Sequence, residues 1–326
     1  MQEQVKKRYE NIDFMKGICI LLVVATHLDL PILSYASFSL FRMPLYYFLS
    51  GIFFSRYDGF KTFLIKKTNN LLIPYIFFSL FTCLAIVVFY LGKELSWQDA
   101  YTESGPLHNG PIWFLISLFE VGILMYFISA IKSNFIQLLV VGITSYMGYY
   151  MCHHEIILPF YLNTALLGMA FYYAGILLRR YKILDDGLYL PVKFLAFLIV
   201  FLLIAFVIIP DRRLALITYE IPFPYYWFIA AGLCGTLSLF YLSKMVNKIS
   251  IINYFGRYSI IVLGVHWYFV KSWKYVILPP TEDIHKGLFL YFIYIFALLA
   301  SLACIVLMKK YLPWFTAQKP LIRLPQ

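Results

Sequence analysis

The chain alternates long apolar runs with short polar segments along nearly its whole length. Apolar runs of this kind are long enough to cross a bilayer core of about 30 Å as α-helices. The pattern predicts about ten spans, at about 14–33, 38–55, 71–91, 112–131, 135–151, 156–178, 190–209, 223–243, 256–278 and 287–308. We therefore predict an all-α, polytopic membrane protein. Residues 1–326 form one domain, with helices from about 14 to 308 and short cytoplasmic tails.

Composition agrees with this class. Of 326 residues, 62% are hydrophobic and only 13% are charged, whereas about a quarter of a soluble domain is charged. The net charge is +11, but the basic residues alternate with the spans and form no single patch for nucleic acid. Most of the 27 Lys and Arg residues fall on one side if the N-terminus is cytoplasmic, which predicts a multi-pass protein with two cytoplasmic termini. The expected location is the cell membrane (inner or plasma membrane) of a bacterium. The five cysteines are scattered and have no metal-binding spacing.

The first two spans carry three polar side chains that a plain membrane anchor would not keep, namely Lys16, His27 and Arg42. Lys16 and His27 are eleven residues apart, so a helix would place them on one face, separated by roughly 16 Å along its axis. This predicts a cation at the membrane surface and an imidazole deep in the bilayer. Together they favour a site that a long anionic molecule reaches from the cytoplasm.

Two later spans also contain ionisable residues. Glu120 is predicted to lie about 12 Å below the outer end of its span, where a charge is costly and is either functional or paired with Lys or Arg. His266 is predicted about 14–15 Å from the inner end of its span, at a depth similar to that of His27. The two imidazoles either share a cavity, or His266 only hydrogen-bonds to a neighbouring helix.

Two other features have simpler interpretations. Trp113 stands at the predicted outer end of a span, where tryptophan is a common interfacial anchor. His153, His154 and Glu155 form a cluster that suggests a metal site, but no third ligand stands at suitable spacing, so solvated turn residues are the better interpretation.

Four motifs, in this order, resemble acyltransferase family 3. They are Lys16-x10-His27, the FFxxSG-like run from Tyr46 to Gly51, GPIWFL from Gly110 to Leu115, and Gly256-Arg257-x-Ser259 followed by His266. The closer resemblance is to the branch of fucose 4-O-acetylase and related acetyltransferases, over roughly residues 9–308. The family's RxxR-type pair before an LLxPY-like run matches Lys67 and Asn70, so one cation is kept as lysine and one is lost.

The resemblance implies a membrane O-acyltransferase that moves an acetyl group from acetyl-CoA to a hydroxyl of a carbohydrate, either a surface glycan or a lipid-linked sugar, without a metal. A neutral imidazole is suited to take the hydroxyl proton, and cations are suited to the phosphates of the donor. The predicted catalytic residues are His27, Glu120 and His266. Donor binding is assigned to Lys16, Lys66, Lys67 and Arg257, and substrate or oxyanion contacts to Arg42, Ser50 and Trp113.

Two alternatives remain. A component that exports polysaccharide would need a wide polar conduit with charges on many spans, whereas the deep charges here concentrate on the first, second and fourth spans. A purely structural membrane subunit would leave His27 and Glu120 unexplained. For an enzyme, direct transfer and a covalent acyl-enzyme are both compatible with these residues.

Overall fold

The computed structural model describes residues 9–28, 30, 36–89, 110–182, 188–209, 216, 221–276 and 283–324. Within these ranges the regular structure is helical, and no strand is found. The α-helices are α1 (Glu10–Thr26), α2 (Ala36–Ile52), α3 (Phe60–Lys67), α4 (Ile73–Phe89), α5 (Trp113–Ile128), α6 (Asn134–His153), α7 (Leu162–Arg180), α8 (Leu190–Leu203), α9 (Tyr225–Val246), α10 (Ser250–Arg257), α11 (Ser259–Val276) and α12 (Asp283–Tyr311). A π-helical turn (Thr68–Leu72) joins α3 to α4, a second one (Ile204–Ile208) extends α8, and 3₁₀ turns (Gly110–Ile112 and Pro159–Tyr161) precede α5 and α7.

Each of the ten predicted spans overlaps one of these helices. In the described part of the chain, six segments are long and apolar enough to cross a membrane. They are Gly110–Ile128, Asn134–His153, Pro159–Arg180, Leu190–Ile208, Tyr225–Val246 and Gly287–Tyr311. The protein is therefore a multi-pass helical membrane protein, while the full number of crossings and the orientation of the termini stay predictions.

The first helix differs from the predicted span at about 14–33, because it begins at Glu10 and ends at Thr26. His27 caps this helix and does not lie within it. Pro31 prevents the helix from continuing unbroken to position 33, as the predicted span would require. In a longer helix the residue at position 31 would donate its backbone N–H to the carbonyl of His27, and proline has no N–H to donate.

Two short helices lie between the predicted spans, except that the last two residues of α10 fall within the span at about 256–278. α3 and α10 are eight residues each, and each leads into a longer helix. α10 is strongly amphipathic and places Asn253, Phe255 and Gly256 in the interior. Its start is tied to α1, since Asn253 donates hydrogen bonds to the backbone and the side chain of Glu10.

Close helix packing depends on glycine at two crossings. At Gly51 in α2, an added Cβ would overlap the carbonyl oxygen of Tyr172 in α7. At Gly256 in α10, it would overlap the carbonyl oxygen of Asp13 in α1. Both glycines let two backbones meet directly, as small residues do between membrane helices. Gly51 follows Ser50 and Gly256 precedes Arg257, and both neighbours are predicted site residues. Each crossing therefore fixes the backbone position of one site residue.

The interior consists of two apolar clusters, and α1 contributes to both. One cluster includes Met15 and Cys19 of α1 with residues of α2, α5, α7 and α9. The other includes Ile20 and Val24 of α1 with residues of α11 and α12. Lys16 lies near the middle of this shared helix and His27 caps its C-terminal end, so the position of α1 determines the geometry of the candidate site.

Candidate active site

The structure brings His27 and His266 together. Their ring centroids are 5.4 Å apart, and the ring of Trp267 meets His27 edge-on at 4.9 Å. His266 lies in α11 and is fully buried, whereas His27 at the end of α1 is half-buried. The site therefore combines an enclosed imidazole with a more accessible one.

The hydrogen bond of His266 identifies its tautomer. Its Nδ1 is 2.7 Å from the carbonyl oxygen of Val262, which only accepts hydrogen bonds, so Nδ1 carries the proton. In the neutral ring Nε2 is then an acceptor. This nitrogen is buried and has no hydrogen-bond partner among the described residues. A buried acceptor without a partner is unfavourable and is typical of a functional position.

Arg42 is buried against the last turn of α1. Its guanidinium donates to the carbonyl oxygen of Leu22 at 3.0 Å and to the hydroxyl of Thr26, the residue before His27. A cation at a helix C-terminus interacts favourably with the helix dipole and with the last unpaired carbonyls. Arg42 therefore fixes the C-terminal end of α1 and, with it, the backbone from which the His27 side chain extends.

The four cations assigned to donor binding line one cavity of about 530 Å³, here called the basic cavity. They come from three separate regions of the chain, because Lys16 lies in α1, Lys66 and Lys67 in α3, and Arg257 at the end of α10. No Asp or Glu is among the described residues that line it. Four like charges on its lining make this cavity a suitable place for a polyanionic ligand.

Aromatic rings position these cations. The ammonium of Lys66 lies 3.5 Å from the ring centroid of Tyr57, and that of Lys16 lies 5.8 Å from the ring centroid of Phe53. Lys67 donates to the hydroxyl of Tyr172 at 3.2 Å. Burial lowers the pKa of Lys67, which precedes the predicted third span, to about 8. Its charge is therefore sensitive to pH within the physiological range.

Apolar side chains, among them Leu263 and Phe114, also line the basic cavity. Leu263 precedes His266 by three residues in α11, a rise of about 4.5 Å along the helix axis. One residue that lines the basic cavity is thus about one helical turn from His266 of the imidazole pair.

The remaining predicted site residues lie in different parts of the structure. Ser50 lines the basic cavity together with the cations, not beside His27. Trp113 is buried in the bundle, where its ring packs against Tyr161 at 5.5 Å. Glu120 is half-buried, and its Oε2 has no hydrogen-bond partner among the described residues.

The cluster of His153, His154 and Glu155 is exposed at the end of α6, where His153 stacks on Tyr149. The part of the chain that the structure describes contains no group of three or more His, Cys, Asp or Glu that could hold a metal ion.

Sequence reasoning missed several residues of the site. Trp267 carries a visible signal, because it directly follows His266. Ala317 and Gln318 line the basic cavity from a segment far along the chain, and Asn69 holds that segment. No local pattern marks a contact between positions so distant in sequence.

Comparison with known proteins identifies the class. The sequence matches the family model described as acyltransferase domain, of acyltransferase family 3, over residues 9–309. The chain belongs to this family, and it is a membrane acyltransferase. No curated protein and no solved structure matches it.

Proposed function

We propose that the chain transfers an acetyl group from acetyl-CoA to a hydroxyl of a cell-envelope carbohydrate. The observation that carries this proposal is the basic cavity, which is lined by four cations and by Leu263, a residue about one helical turn from His266 of the imidazole pair. A thioester donor with phosphates at one end and a reactive carbonyl at the other has the matching distribution of charge.

In the proposed reaction, the half-buried imidazole of His27 takes the proton of the acceptor hydroxyl, as a general base does. In direct transfer, the carbonyl carbon of the thioester accepts the new C–O bond. The C–S bond breaks, and the proton held by His27 neutralises the thiolate of CoA. Nε2 of His266 has no hydrogen-bond partner among the described residues and belongs to the ring beside His27, which supports the use of this pair in proton transfer.

The proposed roles of the other predicted site residues rest on separate observations. Lys16, Lys66, Lys67 and Arg257 are proposed to hold the phosphates of the donor, and Ser50 is proposed to contact the donor in the same cavity. The hydrogen bonds of Arg42 to α1 support a role in positioning His27. Trp113 and Glu120 keep their predicted roles in acceptor binding and catalysis as proposals.

Transfer of isotopically labelled acetyl groups tests this function. Membranes that contain the protein are incubated with acetyl-labelled acetyl-CoA, and alkali-labile label is measured in the carbohydrate fraction. We expect label in the wild type. Lys16→Ala should raise the KM for acetyl-CoA, because a charge-assisted contact with a phosphate contributes about 1.5–3 kcal/mol.

Lys132→Ala is the matched control, since Lys132 is an exposed lysine and does not line the basic cavity. An equal KM in both variants would contradict the assignment of the donor site. Absence of label in carbohydrate would contradict the proposed reaction.

A further inference from the structure

A segment after α12 folds back onto the basic cavity. We call residues 312–324 the strap, and they follow the region matched by the family model, which ends at 309. The strap begins with a compact turn in which the backbone N–H groups of Gln318 and Lys319 both donate to the carbonyl of Pro313 at 2.9 Å. Ala317 within this turn has a φ of 59°, which is uncommon for a residue other than glycine. Such a conformation persists only where the surroundings determine it.

The strap is fastened at two points. The ring of Phe315 stacks on Phe77 of α4, with centroids 5.3 Å apart. Asn69, in the π-helical turn before α4, binds the strap backbone through both ends of its amide. Its Oδ1 accepts from the N–H groups of Leu321 and Ile322 at 2.8 and 2.9 Å, and its Nδ2 donates to the carbonyl of Ile322 at 2.9 Å. Asn69 is only 5% exposed, so these bonds are sheltered from water.

The fastening places the strap against the basic cavity. Ala317 and Gln318 line it, together with Lys66, Lys67 and Asn70 from the segment that contains Asn69. One asparagine therefore connects the segment that bears two of the four cations to Leu321 and Ile322 of the strap, a few residues after Ala317 and Gln318, which line the same cavity. The side chain of Gln318 is itself held, since its Nε2 donates to the carbonyl of Thr316 at 2.9 Å.

We propose that the strap is a wall of the acyl-donor site, and that Asn69 is the positioning residue that keeps this wall in place. The proposal rests on the proposed function, because it takes the basic cavity as the site of acetyl-CoA. The strap acts on donor binding and leaves the chemical step unchanged, since its contacts lie on the cavity and not at the imidazole pair. Loss of Asn69 releases the strap and opens the site to water.

The test compares Asn69→Ala with Asn163→Ala in the full-length protein, purified in lipid nanodiscs. Asn163 is a matched buried asparagine that also holds irregular backbone, by accepting from Leu158 N–H at 2.9 Å and donating to the carbonyl of Ile156. It lies in the first turn of α7, about 13 Å along the axis from Tyr172, the contact of Lys67. The measurements are direct binding of acetyl-CoA, the KM and kcat for acetyl-CoA with host membranes as acceptor, and the thermal midpoint.

We expect Asn69→Ala to raise the Kd and KM for acetyl-CoA at least about tenfold and to change kcat less than about twofold, because several hydrogen bonds that hold the wall are lost. Asn163→Ala should lower the thermal midpoint without raising either constant. Gln318→Trp, which fills the cavity from the strap and leaves Asn69 intact, should weaken binding by a similar factor with the thermal midpoint kept.

The outcomes separate the two proposals. Wild-type binding of acetyl-CoA with unchanged binding in both Asn69→Ala and Gln318→Trp would overturn the strap proposal and leave the donor assignment intact. An equal loss of binding in Asn69→Ala and Asn163→Ala would show a general structural effect and would also overturn it. No saturable binding by the wild type would overturn the donor assignment itself, and the strap proposal with it.

Discussion

Replacement of His266 by leucine should stabilise the protein while it removes activity. The side chain is fully buried and makes one hydrogen bond, from Nδ1 to Val262, while Nε2 has no partner among the described residues. A buried polar group without a partner costs about 1–3 kcal/mol, and the hydrogen bond that is lost contributes about 0.5–1.5 kcal/mol. Leucine has a similar volume and no polar atom, so the expected net gain in the free energy of unfolding is about 1 kcal/mol.

Acetyl transfer should fall about 10²–10⁴-fold in the same variant, as expected for loss of a group that takes part in proton transfer. The assay combines transfer of labelled acetyl groups in membranes with thermal unfolding of the purified protein, monitored by size-exclusion chromatography. His153→Leu is the control, because His153 is an exposed imidazole far along the chain from the pair. Wild-type activity in His266→Leu together with a lower thermal midpoint would refute the reasoning, since His266 would then be a structural residue.

Three further predictions concern other parts of the molecule. Gly51→Ala should lower stability by about 1–3 kcal/mol, because the added Cβ overlaps the backbone of Tyr172, and thermal unfolding measures this. The KM for acetyl-CoA should rise as pH increases through about 8, where Lys67 loses its charge, and Lys67→Arg should remove that dependence because arginine stays charged. Glu120→Gln should lower kcat with the thermal midpoint kept, whereas a lower midpoint with normal kcat would indicate a structural carboxylate.

Much of the helical fold is visible in the sequence because its driving force is local. A run of about twenty apolar residues specifies a spanning helix without reference to the rest of the chain. The end of α1 at Thr26 was less visible, because the apolar run continues past the helix and only Pro31 marks the limit. The two short helices α3 and α10 were missed because the prediction relied on apolar runs long enough to cross a bilayer, and each of these helices has only eight residues.

The residues of the candidate site were likewise predictable only in part. Family motifs marked Lys16, His27 and His266, which carry charge or titrate and therefore stand out in an apolar sequence. The contact of Asn69 with Ile322 joins residues 253 positions apart, and an asparagine before a span has many possible partners. Such a contact depends on the packed structure. The pairing of His27 with His266 also became clear only from the packed structure, because a similar predicted depth does not determine which faces of two helices meet.

The most direct test of the central claim is mass spectrometry of the host's surface glycans. Four strains are compared, with the gene present, deleted, restored as His27→Ala, and restored as His153→Ala, which removes an exposed imidazole outside the candidate site. We expect the mass of one acetyl group to be lost on deletion, restored by the His153 variant, and not restored by the His27 variant. Restoration by His27→Ala would contradict the proposed mechanism. Unchanged acylation on deletion, with glycan accumulating inside the cell, would contradict the proposed transferase and favour a role in export.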